Sequence, residues 1–375
     1  MLEVTDLSAR VGSFVLSNVS LTVPPSSCHV ILGPTGSGKT LLLESVIGLR
    51  NPQAGKVILE GKDITCLPME QRGLSYVPQD LALFPHMTVR ENILYPIRIR
   101  GGKQDIENGI VRELVDSLGI RHLLDRSVLN LSGGERQRTA LARAVASGCK
   151  YLILDEPLSA LHESLKKELW YLLKDLQQRY DLAILMVTHD LGEAFFLGDA
   201  VSIVLDGRVR RQGKKEDVYE HPGSVDVARF LGIRNFFDVR TERGPGDSHR
   251  AYCEELGVTL SVSFPPDMSC PDETSRFAVG IRSEDITVLM PDEQTSHLNN
   301  IVHGTIRDIF ENGAFLTLIA TGQGSSGCVE AAVPRIAAKR SGLSRGSHVT
   351  LRLPEESLFL IDLPCCGTPH CAVRV

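Results

Sequence analysis

The sequence lacks any run close to the roughly 18 consecutive apolar residues that a membrane-spanning helix needs. It also lacks the basic start and apolar stretch of a secretory signal, because Glu3 and Asp6 stand in that position. The formal net charge of -6 argues against the basic face that a nucleic-acid partner requires. We therefore expect a protein of the cytosol that reaches a membrane only through a partner, with no nucleic acid among its ligands.

The cysteines form no evident disulfide framework. There are 9 of them, an odd number, at scattered positions. A local cluster in the tail, Cys365, Cys366, His370 and Cys371, suggests a metal site at first sight. Structural zinc usually needs four ligands at regular spacing, and this cluster lacks a second half. We expect a disordered, reduced tail instead.

Periodicity divides the chain into an α/β region and a β-rich region. Residues 2–23 alternate apolar and polar positions, which predicts an antiparallel hairpin, and short apolar runs at 29–32, 151–154 and 183–187 are typical of buried parallel strands. A helical insert is predicted between about 85 and 150. The length of 375 residues allows two or three domains. We place them at 1–235 and 236–375, the second with many short strands and Gly-rich turns that favour a small barrel of the oligonucleotide-binding type.

Residues 33–40 read GPTGSGKT between a predicted strand and a predicted helix, which is the context of a phosphate-binding loop. Its glycines expose backbone N–H groups to a phosphate, and the helix N-terminus adds a positive dipole end. Lys39 should reach the β- and γ-phosphates, and the Thr40 hydroxyl should bind Mg²⁺. The expected nucleotide contacts of this loop are Gly33, Pro34, Thr35, Gly36, Ser37, Gly38, Lys39 and Thr40.

Two adjacent acidic residues end the apolar run at 151–154. An unpaired Asp155 carboxylate would be expensive at the end of a buried strand, and Mg²⁺ would remove that cost. Glu156 would then face the γ-phosphate as the group that orients the attacking water or takes its proton. The alternative for Glu156 is a structural ion pair.

Residues 131–138 read LSGGERQR, and residues 188–190 read THD. Together with the phosphate loop and the acidic strand end, in this order, they resemble the ATP-binding cassette (ABC) ATPases, and the resemblance spans about residues 1–235. It implies a P-loop NTPase cassette with a helical subdomain. It also implies that two ATP molecules lie between two cassettes, here a homodimer because one chain holds one cassette.

The resemblance assigns roles residue by residue. Gln79 matches a Mg²⁺- and water-sensing glutamine, and His189 matches a histidine that contacts the γ-phosphate. Ser132, Gly133 and Gly134 are expected to cap the γ-phosphate of the partner cassette. Thr88, within the similar segment 83–89, is included among the nucleotide-contacting residues.

Two positions depart from the family pattern. His162 stands where the family has an Asp that crosses the dimer interface, so coupling between the two sites is in doubt. The aromatic residue that stacks on adenine would fall near Val11. Either Phe14 takes its place or the stacking is weak.

The family resemblance favours an importer motor on the cytoplasmic face of the membrane, bound to a separate permease and indirectly to a substrate-binding protein. A soluble cassette protein of translation or DNA repair is the alternative of a different class. Segments 31–40, 83–89, 122–126 and 295–300 look most like molybdate/tungstate importer ATPases, while sulfate, iron(III), polyamine and sugar importers stay open. In the C-terminal region Thr295, Ser296 and Asn300 could bind an oxyanion, although Asn299 stands where the similar proteins hold Arg.

Overall fold

The structure is a computed structural model that describes residues 1–101, 109–159, 161–243, 249–263, 276–289, 298–324 and 327–363. Two compact units divide the chain, Met1–Tyr219 and Glu220–Val375. The boundary after residue 235 that the sequence suggests stays a prediction. No helix among the described residues is long and apolar enough to cross a membrane.

The described part of the first unit contains two sheets and six α-helices that lie wholly within it. Its strands are β1 (Leu2–Val11), β2 (Phe14–Val23), β3 (Cys28–Leu32), β4 (Ala54–Leu59), β5 (Lys62–Asp63), β6 (Leu74–Val77), β7 (Tyr151–Asp155), β8 (Ala183–Thr188), β9 (Ala200–Leu205) and β10 (Arg208–Lys214). Its helices are α1 (Lys39–Ile47), α2 (Val89–Ile99), α3 (Ile110–Ser117), α4 (Gly133–Ala146), α5 (Glu163–Tyr180) and α6 (Leu191–Leu197). A short helix, α7 (Lys215–Glu220), crosses into the second unit.

The central sheet of the first unit has the strand order β10-β9-β3-β8-β7-β6. Strands β9, β3, β8, β7 and β6 are parallel, and β10 pairs antiparallel with β9. Every residue of β3, β7 and β8 is buried, which explains their continuous apolar sequences. Because these strands run in the same direction, their carboxyl ends place the residues that follow them at one edge of the sheet.

The predicted N-terminal hairpin is confirmed, since β1 and β2 pair antiparallel and belong to a second sheet of order β2-β1-β4-β5. Leu2, Leu16 and Val57 from this sheet pack with Leu42 of α1 and Ile153 of the central sheet in one core. Helix α1 is therefore clamped between two sheets. Its first residue, Lys39, cannot shift without disturbing that core.

The buried side chain of Arg72 fixes the other end of α1. It is 1% exposed and donates to the carbonyl oxygens of Ser45 (2.9 Å) and Val46 (2.7 Å) in the last turn. A guanidinium there satisfies carbonyls that have no partner within the helix and complements the negative end of the helix dipole.

The helical insert contains α2, α3 and α4. These helices confirm the insert predicted between about 85 and 150, and residues 102–108 lie outside the described part. Helices α2 and α4 begin with complete capping boxes, Thr88 with Glu91 and Ser132 with Glu135. The sequence thus fixes both helix starts by local hydrogen bonds.

The second unit is β-rich, as expected. Its elements are α8 (Val225–Phe230), β11 (Asn235–Arg243), β12 (His249–Cys253), β13 (Val258–Val262), β14 (Arg276–Ile281), β15 (Thr287–Leu289), β16 (Ile301–Asn312), β17 (Phe315–Gly322), β18 (Cys328–Pro334), α9 (Arg335–Ser341), β19 (His348–Arg352) and β20 (Phe359–Leu363). The strands form two five-stranded antiparallel sheets, β13-β12-β11-β14-β20 and β15-β19-β16-β17-β18. Side chains of both sheets, such as Phe237, Leu260 and Leu351, share one apolar core.

Candidate nucleotide-binding site

The loop between β3 and α1 exposes its backbone in a shape that suits a phosphate. Gly36 and Gly38 adopt φ of 84° and 99°, which favour glycine. A Cβ at Gly33 would lie 2.3 Å from the carbonyl oxygen of Val204, whereas a Cβ at Gly36 would meet nothing within 4 Å. The loop is therefore packed against β9 on one side and open at Gly36.

Two buried polar groups of the loop suit an anionic ligand. The Ser37 hydroxyl is buried and has no hydrogen-bond partner in the described part of the chain. Lys39 is 4% exposed, and its Nζ donates to the carbonyl oxygens of Gly33 (2.8 Å) and Pro34 (2.9 Å). Burial lowers the pKa of the Lys39 ammonium, and the nearby Glu156 carboxylate opposes this effect. A phosphate would satisfy both groups, so the loop fits one.

Asp155 lies where its carboxylate can meet Thr40. The Thr40 Oγ1 is 3.4 Å from Asp155 Oδ1, and the Tyr76 hydroxyl is 3.5 Å from Oδ2. Burial raises the pKa of this carboxyl, which is 3% exposed. Among the described residues no three His, Cys, Asp or Glu side chains gather to hold a metal. One carboxylate and one hydroxyl fit Mg²⁺, which usually keeps several waters and binds substrate phosphates as well.

Glu156 connects the phosphate loop to the end of β8. Its Oε1 is 3.9 Å from Lys39 Nζ, and its Oε2 is 3.2 Å from His189 Nδ1. Glu156 has φ of 44°, an unusual conformation for a side chain of this type. The turn after β7 therefore directs the carboxylate towards residues of two other strand ends. This geometry is compatible with both roles considered for Glu156, the structural ion pair and the catalytic group.

A charged cluster that the sequence did not indicate holds the residues on either side of His189. Thr188 Oγ1 donates to Glu193 Oε2 (2.5 Å), and Lys166 Nζ donates to Asp190 Oδ2 (2.8 Å). Glu193 is 1% exposed, and its burial raises the pKa of its carboxyl. Asp190 caps α6 by accepting from Glu193 N. The spacing of Asp190 and Glu193 is the signal that could have predicted this helix start.

Phe14 does not project into open space. Its ring packs against Gly38, where a Cβ would approach within 2.7 Å of Cε1, and it lies close to Gly207. Val11, its partner in the hairpin register, is 43% exposed. The hairpin end thus offers an aliphatic side chain where adenine would need an aromatic one, and an adenine contact for Phe14 stays a prediction.

Gln79 and Thr88 lie at the entrance to the helical insert. Gln79 is exposed just after β6. The Thr88 hydroxyl accepts from Glu91 N (3.2 Å) and lies 3.1 Å from Glu91 Oε2 within the capping box of α2. Thr88 is therefore engaged in starting a helix, and its expected contact with nucleotide stays a prediction.

The second predicted half of the site is the N-terminus of α4. Ser132 is the N-cap, its hydroxyl accepts from Glu135 N (3.3 Å), and Gly133 and Gly134 form the first turn. A Cβ at Gly134 would meet nothing within 4 Å. His162 is the N-cap of α5 and makes no side-chain capping hydrogen bond. Ser132 and His162, the N-caps of α4 and α5, are both exposed, whereas Gly133 and Gly134 are half-buried.

In the second unit, Asn300 is one of the residues expected to bind an oxyanion, and its side chain already has backbone partners. The Asn300 side chain accepts from Ser261 N (2.6 Å) and donates to Ser261 O (2.9 Å), so it is engaged with the backbone of β13. Thr295 and Ser296 lie outside the described residues. The tail with Cys365, Cys366 and Cys371 lies outside them too.

Comparison with known proteins places this geometry in a family. The family model described as ABC transporter matches residues 16–159. A molybdate/tungstate import ATP-binding protein of Pyrococcus horikoshii is 39% identical over 319 residues, covering 85% of this chain and 88% of that protein. A spermidine/putrescine import ATP-binding protein of Oleidesulfovibrio alaskensis is 38% identical and covers 73% of each chain. The solved dimeric structure of MJ0796, a bacterial ABC transporter cassette, is similar with a TM-score of 0.51 and 27% identity, over 57% of this chain and 98% of that one.

Proposed function

The chain belongs to the ABC transporter family of ATPases, and on that premise we propose that it is the motor of an importer whose cargo is molybdate or tungstate. The observation that carries the proposal is the position of Glu156 between Lys39 and His189. Three strand ends bring a phosphate-binding cation, a carboxylate and an imidazole to one edge of the sheet. Such a set is suited to hydrolysis of a nucleotide γ-phosphate.

In this proposal the phosphate loop binds ATP through residues 33–40. The Lys39 ammonium, now bonded to two carbonyl oxygens, would turn towards the β- and γ-phosphates, and the Ser37 hydroxyl would gain an acceptor. Thr40 and Asp155 would hold Mg²⁺, which neutralises phosphate charge when it is bound. Gln79, exposed beside this edge, would complete the site around the metal and the attacking water.

Glu156 would orient the attacking water and accept its proton. The carboxylate suits this role because it lies beside the phosphate loop, with Oε2 3.2 Å from His189 Nδ1. His189 would contact the γ-phosphate while its Nδ1 stays close to Glu156 Oε2. The buried cluster of Thr188, Glu193 and Lys166 keeps the loop around His189 in place.

The N-terminus of α4 would complete the site of a second copy. Ser132, Gly133 and Gly134 present a hydroxyl and backbone N–H groups at a helix start, which suits a phosphate. The similarity to a cassette solved as a dimer supports two copies, which the family resemblance would arrange head to tail. His162 would then lie at an interface where it provides no fixed negative charge.

Permease subunits in the membrane would be the partners, with the chain peripheral on the cytoplasmic face and a substrate-binding protein acting indirectly. Molybdate or tungstate is favoured because the relative named for them aligns over 85% of the chain, against 73% for the relative named for spermidine/putrescine. Sulfate, iron(III), polyamine or sugar import are the alternatives for the cargo. A cassette ATPase not tied to transport is the alternative of a different class.

Glu156→Gln tests the motor. It should lower turnover by about 10²–10⁴-fold because the proton acceptor is lost, while ATP affinity stays unchanged because Lys39 and the loop remain. It should also trap the dimer in the presence of ATP. Turnover, ATP affinity and size-exclusion elution are measured together, with Glu168→Gln on the exposed face of α5 as the matched control. A Glu156→Gln protein that hydrolyses ATP at the parent rate and stays monomeric would contradict the assignment.

Uptake in cells tests the cargo. A strain without this chain should lose uptake of labelled molybdate and tungstate and keep uptake of labelled spermidine and sulfate. The parent gene should restore uptake and the Glu156→Gln gene should not. Loss of spermidine or sulfate uptake with normal molybdate uptake would reassign the cargo and leave the motor intact.

A further inference from the structure

The segment that follows Gln79 has a strained backbone. Leu81 has φ of 66° and Ala82 has φ of 42°, so two consecutive residues other than glycine adopt left-handed conformations. A residue other than glycine keeps this strained conformation at a cost in free energy, so its surroundings must hold it in place. No glycine in this segment lowers that cost. Something outside the segment must stabilise it.

Arg143, in the last turn of α4, supplies that stabilisation. Its Nη1 donates to Ala82 O (2.6 Å) and its Nη2 donates to Leu81 O (2.7 Å). The guanidinium also lies 5.4 Å from the centre of the Phe84 ring. The planar fork of an arginine is suited to two neighbouring carbonyl oxygens, which a lysine would not hold together.

The other end of the same segment is fixed by α2. The fully buried Asn92 side chain accepts from Phe84 N (2.9 Å) and donates to Phe84 O (3.2 Å). The Phe84 ring packs on Tyr95 with centres 4.4 Å apart. Residues 81–84 are thus held between α4 on one side and α2 on the other.

Helix α4 links this contact to the opposite end of the insert. It runs without interruption from the Ser132 cap to Ala146, so Arg143 and Ser132 belong to one rigid element. A groove of about 550 Å³ next to the contact is lined by Pro78, Ala82, Phe84 and Arg143, among others. Ala82 and Phe84 therefore face open space on one side.

We propose that Arg143 is a positioning residue that couples Gln79 to the Ser132 end of α4 by holding the left-handed backbone of Leu81 and Ala82. A change at Gln79 then shifts the carbonyl oxygens of the segment and, through the fork, turns α4. The functional meaning of this coupling rests on the proposed function of Gln79 and Ser132. The hydrogen bonds from Arg143 to Leu81 O and Ala82 O do not depend on that proposal.

Arg143→Met removes the fork and keeps most of the apolar stem. We expect kcat for ATP hydrolysis to fall about tenfold, the change that 1.4 kcal/mol of lost stabilisation gives. ATP affinity should stay unchanged, because Arg143 does not contact the phosphate loop in the structure. The backbone amides of residues 81–84 should exchange hydrogen faster. Arg138→Met is the matched control, since Arg138 lies on α4 but donates to Leu118 O and Glu168.

Arg143→Lys is the second variant, which tests the proposal even if Arg143→Met does not fold. It keeps the charge but cannot donate to both carbonyl oxygens in one plane, so its kcat and amide exchange should fall between the parent and Arg143→Met. The proposal is overturned if amide exchange of residues 81–84 and kcat equal those of the parent in both variants. It is also overturned if Arg138→Met changes them as much as Arg143→Met does.

The two proposals fail in distinguishable ways. If Glu156→Gln abolishes turnover while Arg143→Met leaves it intact, the motor stands and the coupling fails. If the parent protein hydrolyses no ATP, the motor fails, and amide exchange of residues 81–84 still decides whether Arg143 holds the segment.

Discussion

Two pairs of buried polar side chains differ between the units of this chain: Ser37 and Lys39 in the first, and Asn235 and Asn300 in the second. In the first unit the Ser37 hydroxyl has no partner among the described residues, and Lys39 is buried with only backbone oxygens as acceptors. In the second unit buried amides are fully engaged with backbone. The contrast separates polar groups that await a ligand from those that hold strands together.

Asn235 and Asn300 show the second use. Asn235, 2% exposed, donates to Glu330 O (2.8 Å) and accepts from Glu330 N (2.8 Å). Asn300 makes the same pair of bonds with Ser261. Each amide thus connects the backbones of the two five-stranded sheets by side-chain hydrogen bonds. Such groups have little capacity left for an oxyanion.

Topology explains the contrast. Parallel strands of an α/β sheet end at one edge, and the residues after β3, β7 and β8 supply the loop, Glu156 and His189 there. In two packed antiparallel sheets the strand ends alternate, and no edge gathers polar residues in this way. The proposed chemistry is therefore confined to the first unit.

Among the substitutions that test this contrast, Asn300→Ala should have the largest effect on stability. It should lower the free energy of unfolding by about 2–4 kcal/mol, because Ser261 N and O lose their partners and alanine replaces an asparagine at φ of 59°. ATP hydrolysis at a temperature where the variant is folded should be unchanged. Denaturant unfolding measures the loss, and Asn299→Ala, at an exposed neighbour, is the control. An unchanged stability with altered ATPase regulation would reverse the role we give to Asn300.

Ser37→Ala should give the opposite outcome in the first unit. Removing a buried hydroxyl that has no partner leaves stability unchanged or slightly higher, while ATP affinity falls up to about tenfold because a bond to a charged phosphate is lost. Ser45→Ala is the matched control in the adjoining helix, since its hydroxyl already donates to Leu41 O (2.9 Å). If both variants bind ATP like the parent, the Ser37 hydroxyl does not await a phosphate.

His29 provides the smallest and most specific test, because it is a fully engaged polar group inside the first unit. Its ring nitrogens lie 2.8 Å from Thr22 O and 2.7 Å from Ser202 Oγ, and burial lowers the pKa of the ring below its ordinary 6.5. Below pH 6.5 the His29 ring binds a proton in the unfolded chain more readily than in the folded chain. Stability should therefore fall as pH drops below 6.5, by at most about 1.4 kcal/mol per pH unit.

His29→Gln should abolish that part of the pH dependence, whatever it does to stability at neutral pH. His303→Gln, at an exposed histidine of β16, should leave the slope unchanged. Unfolding curves between about pH 5 and 7 decide the matter. Equal slopes for the parent and His29→Gln would show that His29 titrates normally in the folded state.

Local sequence patterns predicted most of the first unit. The phosphate loop and the buried strands follow from a few neighbouring residues, and their elements stand where the patterns place them. The structure adds the meeting of Glu156 with Lys39 and His189, which the parallel strand order explains. The resemblance to ABC ATPases, which the comparisons confirm, supplied the roles that geometry alone leaves open.

Other features were beyond a reading of the sequence for physical reasons. The strand β18 contains Ala331 and Ala332, which have low strand propensity, and its position depends on Asn235 far along the chain. The left-handed Leu81 and Ala82 lack the glycine that normally signals such a turn. The Lys166 cluster depends on the packing of α5 beside α6. Each of these is fixed by tertiary contacts.

Hydrogen exchange on the full-length Glu156→Gln protein, with and without Mg²⁺ and ATP, tests the contrast between the units most directly. We predict slower exchange of the phosphate-loop amides at residues 36–40 when ATP is bound, because a ligand then occupies their open side. The amides of Ser261 and Glu330, already bonded to Asn300 and Asn235, should exchange at the same rate in both conditions. Unchanged exchange at residues 36–40, or equal protection in both units, would contradict the account.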